Sequence, residues 1–321
     1  MSKNILVTGG CGFIASNFIN YIHDNYKDCN IINLDKIDYC SNSQGINHTE
    51  LVVGNITDRS LVRYLIDKYN FDVVFHFAAH SHVCNSFNDP VKFCKENALG
   101  THSLLETFRT YKPDVEFIHF STDEVYGENK TDVPFTEDSV LHPTNPYSAS
   151  KAAAEMIVNS YIESFKMKIK IIRCNNVYGP RQYPEKLIPK FIKLLCEDKK
   201  CTIHGKNSSK TKRAFIHVDD VSRAVETLWL KGSHGEAYNI SSNYELSVID
   251  VTKIIIKEIK STDDYEQWIE YVDDRLFNDE RYYINDNKLR QLGWEPVKEL
   301  DDLKSFIRES KNCSVGNTQL C

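Results

Sequence analysis

Short apolar runs alternate with longer amphipathic segments through the first half of the chain. Runs with the character of buried strands occupy residues 3–9, 29–35, 72–79, 115–122 and 168–179. The segments 13–26, 60–70, 97–111 and 146–165 between them have helical spacing of their apolar residues. This order predicts an α/β fold with a doubly wound parallel sheet covered by helices on both faces. In such sheets, ligands bind beyond the carboxyl ends of the strands.

The pattern becomes less regular after residue 174, which predicts a smaller second lobe. We assign residues 1–174 and 214–242 to the main domain, with a strand followed by a helix returning to it. Residues 175–213 and 243–304 then form the smaller α/β lobe, which we expect to bind substrate. The segment 305–321 shows no periodicity and is expected to be a loose tail.

Bulk composition narrows the choice of partners. The net charge of -6 argues against nucleic acid as the main partner, because binding to phosphates requires a basic face. No apolar run approaches the roughly 18–20 residues that span a bilayer, so no membrane partner is expected. The ten cysteines are scattered without a CxxC pair, which favours reduced thiols and a cytoplasmic protein.

The segment "TGGCGFIASN", residues 8–17, has the glycine spacing of a dinucleotide-binding turn between a strand and a helix. Either Gly10 or Gly9 serves as the first glycine, followed by Gly12 and by Ala15 as the small third residue. Asp35 ends the second strand, where a carboxylate can accept the ribose 2′-hydroxyl and would repel a 2′-phosphate. This favours NAD over NADP as cofactor. The alternative is a tight turn without a ligand.

Two further stretches carry candidate chemistry. Thr122, Asp123 and Glu124 follow a predicted buried strand, and Tyr147 and Lys151 lie one turn apart on a predicted helix. A tyrosine with an ordinary pKa near 10 is a poor base, but a neighbouring ammonium group and a positive nicotinamide ring stabilise its phenolate. The alternatives are a chance tyrosine–lysine pair and a solvated acidic loop.

Taken with these motifs, the chain resembles the extended short-chain dehydrogenases/reductases and, among them, the nucleotide-sugar 4,6-dehydratases. The resemblance covers roughly residues 3–297. It is carried by "VTGGCGFIASN", "LDKIDYCSN", "HFAAHSHV", "NALGTH", "STDEVYG", "PTNPYSASKAAAEM", "NNVYGPRQYPEKLIPKFI", "DDRLFNDERY" and "LGWEP". It implies a Rossmann-like NAD-binding domain with a smaller C-terminal α/β lobe, and a hydro-lyase activity.

The resemblance also implies a role for each catalytic residue. Tyr147, assisted by Lys151, takes the C4 hydroxyl proton while hydride passes to NAD, and Thr122 hydrogen-bonds the C4 oxygen. Glu124 then removes the C5 proton, and Asp123 protonates the leaving C6 hydroxyl. The hydride returns to C6, so that NAD is regenerated in each turnover. An epimerase would not need both carboxyl groups.

By the same resemblance, further residues contact cofactor and substrate. The implied cofactor contacts are Gly9, Gly12, Phe13, Ile14, Asp35, Lys36, Asn55, Ile56, Phe77, Ala78, Ala79, Asn97, Tyr147 and Lys151. The implied substrate contacts are Ser81, Thr122, Asn176, Glu185, Lys186, Leu187, Arg213, Arg275 and Asn278. The arginines suit a diphosphate, since a planar guanidinium can donate two parallel hydrogen bonds to it. No metal site is expected.

The chain departs from the family pattern at a few positions near these contacts. The family commonly has Gln or Glu at His80, Asp at Cys84, Asp at Asn55 and Asp at Ala214. Asn55 can still hydrogen-bond adenine through its amide. We expect His80 to be a packed neutral residue, the alternative being an effect on the pH profile.

Several motifs resemble the dehydratase segment of plant-type UDP-rhamnose synthases more than bacterial dTDP-glucose enzymes. UDP-glucose is therefore the expected substrate, as an early step of UDP-rhamnose or other deoxysugar synthesis, with dTDP-glucose as the alternative. A nucleotide-sugar 4-epimerase or decarboxylase and a non-catalytic NAD-binding module are further alternatives. The resemblance also implies a homodimer formed by helices at about residues 98–110 and 147–165.

Overall fold

The computed structural model describes residues 3–46, 49–205, 211–273 and 279–314. The strands are β1 (Asn4–Thr8), β2 (Asn30–Asp35), β3 (Glu50–Val53), β4 (Val73–His76), β5 (Glu116–Thr122), β6 (Lys168–Cys174), β7 (Asn176–Tyr178), β8 (Cys201–His204), β9 (Lys212–His217), β10 (Ala237–Ile240), β11 (Glu245–Ser247) and β12 (Ile269–Val272).

The helices are α1 (Phe13–Asn25), α2 (Arg59–Tyr69), α3 (Val83–Asn88), α4 (Pro90–Phe93), α5 (Gly100–Tyr111), α6 (Pro146–Phe165), α7 (Leu187–Cys196), α8 (Val218–Lys231), α9 (Val248–Lys260), α10 (Asn287–Arg290) and α11 (Leu300–Ser314). A π-helical turn, Cys94–Leu99, leads into α5, and 3₁₀ turns occupy Asp123–Tyr126 and Glu266–Trp268. None of the described helices is both long and apolar enough to cross a bilayer.

Seven strands form one parallel sheet in the order β10-β6-β5-β4-β1-β2-β3. The chain adds strands outward from β1 in one direction and then returns to add β4, β5 and β6 on the other side. The winding therefore reverses between β1 and β4, and this reversal opens a crevice at the carboxyl ends of the strands. The doubly wound fold predicted from the apolar rhythm is confirmed.

The sheet is buried on both faces because successive side chains of each strand point to opposite sides. Ile5 and Val7 of β1 pack with apolar residues of α1 and α8, whereas Leu6 packs with those of α2, α5 and α6. The middle positions of these strands are consequently mostly apolar. Helices thus cover the two faces and leave only the strand ends open.

The second lobe contains two small sheets, β11-β9-β7 and β12-β8, and has its own core. Phe191 of α7, Ile255 of α9 and Phe306 of α11 belong to one cluster of buried side chains. The predicted start of a returning segment at residue 214 falls inside β9, which pairs with β7 and β11 rather than with the large sheet. Helix α8 and β10 do return to the large domain.

The expectation of a loose tail from residue 305 is wrong for its first ten residues. Helix α11 continues to Ser314, and Leu303 and Ile307 on one of its faces are fully buried. The spacing of Leu303, Phe306 and Ile307 is that of an amphipathic helix, but the stretch is short and charged residues flank it on both sides. Residues 315–321 lie outside the described part of the chain.

Two further differences concern strands. Edge strand β3 was not predicted, because its four residues carry too little periodicity to distinguish a strand from a loop. The single strand predicted over 168–179 is two strands, β6 and β7, which lie in different sheets. Asn175 between them is where the chain passes from one lobe to the other.

Candidate active site

A cavity of about 370 Å³ lies beyond the carboxyl ends of the parallel strands. Residues that follow β1 through β6, the first turn of α1 and one face of α6 line it. The predicted site residues on its wall are Gly9, Gly12, Phe13, Ile14, Asp35, Lys36, Asn55, Ile56, Phe77, Ala78, Ala79, Ser81, Thr122, Asp123, Glu124, Tyr147, Lys151, Asn176 and Lys186. The fold therefore brings most of the candidate cofactor and catalytic residues together.

The remaining predicted residues are placed elsewhere. Asn97 is buried behind the wall, where its amide exchanges hydrogen bonds with the backbone of His80 at 2.7 and 3.0 Å and donates to Ser150 at 2.8 Å. Glu185 lines a neighbouring, more open groove, and Leu187 begins α7 and packs in the core of the second lobe. Arg275 and Asn278 lie outside the described residues.

Arg213 does not line the cavity either. Its guanidinium donates to the backbone carbonyls of Lys212, Glu280 and Asp279 at 2.8, 3.1 and 2.8 Å. It also lies 4.4 Å from the ring centre of Tyr282. In this structure Arg213 therefore binds the backbone of Asp279 and Glu280.

The glycine turn has the spacing Gly9, Gly12 and Ala15. Gly9 has a φ of 72°, and a Cβ there would lie 2.7 Å from the Cα of Ala78. Gly10 instead abuts Asn33 on the next strand and does not line the cavity. The sequence allowed the motif to begin at Gly9 or at Gly10. In the structure Gly9, Gly12 and Ala15 line the cavity, so the motif begins at Gly9.

The start of α1 fits a pyrophosphate. Gly12 at its N-cap provides no side-chain cap, the first turn contains no acidic residue, and Gly12, Phe13 and Ile14 line the cavity. Such an uncapped helix start attracts an anion through its N–H groups and its dipole. The local geometry therefore suits the diphosphate of a dinucleotide.

Asp35 is held in place at the end of β2. Its carboxylate accepts from the Cys11 and Ile37 amides at 3.0 and 2.8 Å and from the Ser41 hydroxyl at 3.1 Å. A carboxylate has about four lone-pair positions, so it can accept a ribose hydroxyl as well. This arrangement fits an unphosphorylated adenosine ribose.

Lys36 and His80 form a charged cluster beside this ribose position. The Lys36 ammonium lies 3.1 Å from Asp38, 2.9 Å from Glu96 and 2.9 Å from Nε2 of His80. Because an ammonium group only donates, the shorter Lys36 contact favours Nε2 of His80 as an acceptor, although Asp38 lies 3.3 Å from the same nitrogen. Burial first, and then the Lys36 charge, lower the pKa of His80, so this histidine is neutral at neutral pH.

The predicted acid and base follow β5 directly in the 3₁₀ turn Asp123–Tyr126. Asp123 accepts from the Thr122 hydroxyl at 3.1 Å and from the Asn175 amide at 2.5 Å. Glu124 accepts from the Asn145 amide at 3.0 Å and lies 3.4 Å from the Tyr282 hydroxyl. Each carboxyl group thus has its own partners, although they are neighbours in the chain.

Both carboxyl groups hold protons more tightly than in water. Burial, followed by the charge of Glu124, raises the pKa of Asp123 to about 7. Burial also raises the pKa of Glu124, against the lowering effects of Asn145, Arg213 and Lys186. A buried carboxylic acid with a pKa near neutrality can donate a proton at physiological pH, which is what an acid catalyst requires.

Helix α6 presents Tyr147 and Lys151 to the same cavity. The helix begins with an Asn145 cap, whose side chain accepts from the Ser148 amide at 2.9 Å, followed by Pro146 in its first turn. Lys151 donates to the Phe120 carbonyl at 2.7 Å, and burial lowers its pKa to about 8.

Lys151 is not among the main influences on the pKa of Tyr147 in this structure. Burial, and then the charges of Glu124 and Asp123, raise the pKa of Tyr147, while a hydrogen bond with Thr122 lowers it. The Lys151 ammonium donates its hydrogen bond to the Phe120 carbonyl and not to the Tyr147 hydroxyl. Tyr147 is therefore a neutral phenol here.

Sequence reasoning missed three residues that contact the acid or the base, Asn145, Asn175 and Tyr282, and a fourth, Asp279, that accepts from Tyr282. Asn145 has a local signal, since Asn-Pro three residues before a serine is a typical helix start. Asn175 follows a strand end, the usual place for site residues in this fold. Asp279 and Tyr282 have no such signal. Among the described residues, no group of histidine, cysteine, aspartate and glutamate side chains could hold a metal ion.

The chain is similar to several known proteins over most of its length. The family model of GDP-mannose 4,6 dehydratase matches residues 6–305. The chain is 45% identical to the dTDP-D-glucose 4,6-dehydratase of Mus musculus, over 92% of this chain and 84% of the relative. It is 46% identical to a trifunctional UDP-glucose 4,6-dehydratase/epimerase/reductase of Arabidopsis thaliana, over 91% of this chain and 45% of that longer protein.

A solved structure is similar over nearly the whole chain. It is dTDP-glucose 4,6-dehydratase from Bacillus anthracis in complex with NAD, with a TM-score of 0.87 and 35% identity. The alignment covers 98% of this chain and 97% of that one. The match of the family model to nearly the whole chain, together with these relatives, shows that the chain belongs to the GDP-mannose 4,6 dehydratase family.

Proposed function

We propose that this protein is an NAD-dependent hydro-lyase that converts UDP-glucose to UDP-4-keto-6-deoxyglucose. The observation that carries the proposal is that two carboxyl groups, Asp123 and Glu124, share one cavity with Tyr147 and Lys151. Oxidation at C4 alone would need only the tyrosine and the cofactor. Elimination of water across C5 and C6 additionally needs a base and an acid close together.

The cavity residues fit NAD, the cofactor bound by the related Bacillus anthracis enzyme. Gly12, Phe13 and Ile14 would hold the diphosphate, and Asp35 the adenosine ribose. Bound NAD supplies a hydride acceptor that can return the hydride within the same turnover. Tyr147 and Lys151 lie on the same cavity wall, at the reacting end in this assignment.

Tyr147 carries out the first proton transfer in this mechanism. The C4 hydroxyl gives its proton to the Tyr147 oxygen as the C4–H bond breaks. Because Tyr147 is a neutral phenol in this structure, it must first release its own proton to solvent, and the positive charge of bound oxidised nicotinamide would favour this loss. Thr122, which hydrogen-bonds both Tyr147 and Asp123 here, contacts the C4 oxygen.

Glu124 and Asp123 then remove water. Glu124 takes the C5 proton, which the C4 ketone has made acidic, and the C5 electron pair expels the C6 oxygen. Asp123, with a pKa of about 7, gives its proton to that oxygen, so that water leaves rather than hydroxide. Return of the hydride to C6 and of a proton to C5 completes the 4-keto-6-deoxy sugar.

The choice of uracil as the nucleobase of the substrate rests on the sequence resemblance to plant-type UDP-rhamnose synthases and on the 46% identity to the Arabidopsis protein. dTDP-glucose is the second candidate substrate. It is favoured by the 45% identity to the mouse enzyme, of which this chain covers 84%. The two substrates differ in the thymine methyl group and in the ribose 2′-hydroxyl group. A methyl group in an apolar pocket is worth about 1–3 kcal/mol, or roughly 10- to 200-fold in kcat/KM.

We also propose a homodimer in which α5 and α6 of one subunit pair with those of its partner. Leu99, just before α5, and Met156 on α6 are more than half exposed, and exposed large apolar side chains can mark an interface. Pairing would cover them.

The direct test is incubation of the purified protein with UDP-glucose or dTDP-glucose in the presence of NAD, followed by mass spectrometry. Loss of one water molecule from UDP-glucose at the higher kcat/KM supports the proposal. Preferred dehydration of dTDP-glucose would change the assigned nucleotide of the substrate and leave the proposed reaction unchanged. Unchanged mass with both sugars contradicts 4,6-dehydration.

A further inference from the structure

Tyr282 lies between the proposed base and a third carboxyl group. It is buried, with 6% of its surface exposed. Its hydroxyl oxygen is 2.5 Å from Oδ2 of Asp279 and 3.4 Å from Oε2 of Glu124. Burial, and then the charge of Glu124, raise the pKa of Tyr282, so its phenol keeps its proton and acts as a donor.

A phenol has one proton and can donate it to one acceptor at a time. The shorter contact assigns that proton to Asp279 in this structure. The oxygen lone pairs of Tyr282 then face Glu124, which is unfavourable for a carboxylate but favourable for a protonated carboxyl that donates to them. The geometry thus offers two hydrogen-bond patterns, one for each protonation state of Glu124.

Neighbouring residues hold both acceptors in place. Thr144 donates to Oδ2 of Asp279 at 2.6 Å, and Asn145 beside it donates to Oε2 of Glu124 at 3.0 Å. Arg213 covers the Tyr282 ring and binds the Asp279 carbonyl. The hydroxyl group can therefore change its acceptor by rotating the O–H bond, together with a small displacement that lengthens the 2.5 Å contact to Asp279 and shortens the 3.4 Å contact to Glu124.

We propose that Tyr282 is a positioning residue for the base, donating to Glu124 while it is a carboxylate and to Asp279 once it is protonated. This role rests on the proposed function. In the step concerned, the C5–H bond breaks and an O–H bond forms on Glu124, while the electron pair stays on the substrate. The new carboxyl proton points to Tyr282, whose own proton turns to Asp279, and no proton leaves the three side chains.

Two substitutions shift the proton affinity of Glu124 in opposite directions. Tyr282→Phe removes a donor to the carboxylate, so the pKa of Glu124 rises and the acidic limb of the elimination rate moves to higher pH. Asp279→Asn removes a nearby negative charge, so the pKa falls and the limb moves to lower pH. Neither substitution changes the other charged and hydrogen-bonding groups that face Glu124. These are Asp123, Asn145, Tyr147, Lys186 and Arg213.

The experiment follows the absorbance of enzyme-bound NADH in single turnovers of the full chain with UDP-glucose and NAD across pH. We expect Tyr282→Phe to form NADH normally and to consume it about 10- to 100-fold more slowly, as for a lost hydrogen bond to a charged group. Tyr283→Phe is the matched control, since that tyrosine is the chain neighbour and only half-buried. Its kinetics should equal those of the wild type.

The outcomes separate this role from the proposed function. If the wild type dehydrates the sugar and the two variants move the acidic limb oppositely, the role is supported. If Tyr282→Phe matches Tyr283→Phe in NADH decay and pH profile, the role is overturned while the function stands. Should Tyr282→Phe not fold, as judged by circular dichroism, an unshifted limb in Asp279→Asn overturns it. A wild type that dehydrates neither sugar contradicts both.

Discussion

Two neighbouring carboxyl groups have different surroundings in this site, and the difference fits an acid and a base. Asp123 faces Thr122 and the Asn175 amide, and its pKa is about 7. Glu124 faces the Asn145 amide and Tyr282. Two titratable groups with separate environments can hold different protonation states at one pH, as the elimination requires.

Glu124→Gln should separate oxidation from elimination. The amide cannot accept the C5 proton, so dehydration should fall by at least ~100-fold, a loss typical of a removed general base. Bound NADH should accumulate, because the chemistry at C4 remains. Absorbance at the NADH band and mass spectrometry of the product measure the two steps.

Two comparisons complete that experiment. Tyr147→Phe should lose the NADH signal as well as the product, because oxidation at C4 comes first. Glu163→Gln, at an exposed glutamate on the far part of α6, should behave as the wild type. Near-normal dehydration by Glu124→Gln would show that another group is the base.

The rate of elimination should decrease as the pH rises above about 7. Asp123 must carry a proton to donate it, and burial raises its pKa to about 7, so the protonated fraction falls through that pH. The pH profile of NADH decay in single turnovers measures this limb. Asp123→Asn should be much slower and should lack it, and a limb that persists in that variant would assign the acid to a different residue.

At the scale of elements, β5, the turn after it and the start of α6 form one unit. Asn145 caps α6 by accepting from the Ser148 amide, and it also donates to Glu124. The start of the helix that carries Tyr147 is therefore fixed relative to Glu124. The strand–helix rhythm, the glycine turn and the positions of Tyr147 and Lys151 could be predicted because each has a local pattern.

The remainder of the site depends on contacts between distant segments. Tyr282 meets Glu124 across 158 positions of the chain, and Thr144 meets Asp279 across 135. No periodicity or motif spacing encodes such pairs, because packing of the second lobe on the first creates them. The same reason explains why Arg213 was expected at a diphosphate although it binds backbone carbonyls here.

Helix α11 should contribute to stability rather than behave as a tail. Leu303 is fully buried in the core of the second lobe, so Leu303→Ala should lower the free energy of unfolding by about 2–5 kcal/mol. Urea denaturation measures this loss. Asp301→Ala, at an exposed position one half-turn earlier, is the control and should change stability little.

At the scale of the whole molecule, Met156 on α6 is half exposed and could lie in a contact between two subunits. We expect a homodimer, so light scattering after gel filtration should give twice the chain mass of 37.1 kDa. Met156→Arg places a charge on the exposed face of α6 and should give the monomer. A monomeric wild type at micromolar concentration would contradict the proposed pairing.

The most direct test of internal oxidation and reduction is to follow a deuterium label from C4 of the sugar. UDP-glucose deuterated at C4 is incubated with the protein and NAD, and the product is examined by nuclear magnetic resonance. The account predicts that the deuterium is found in the C6 methyl group of a 4-keto-6-deoxy sugar. Deuterium retained at C4 of a hexose, or lost to water, would contradict the account.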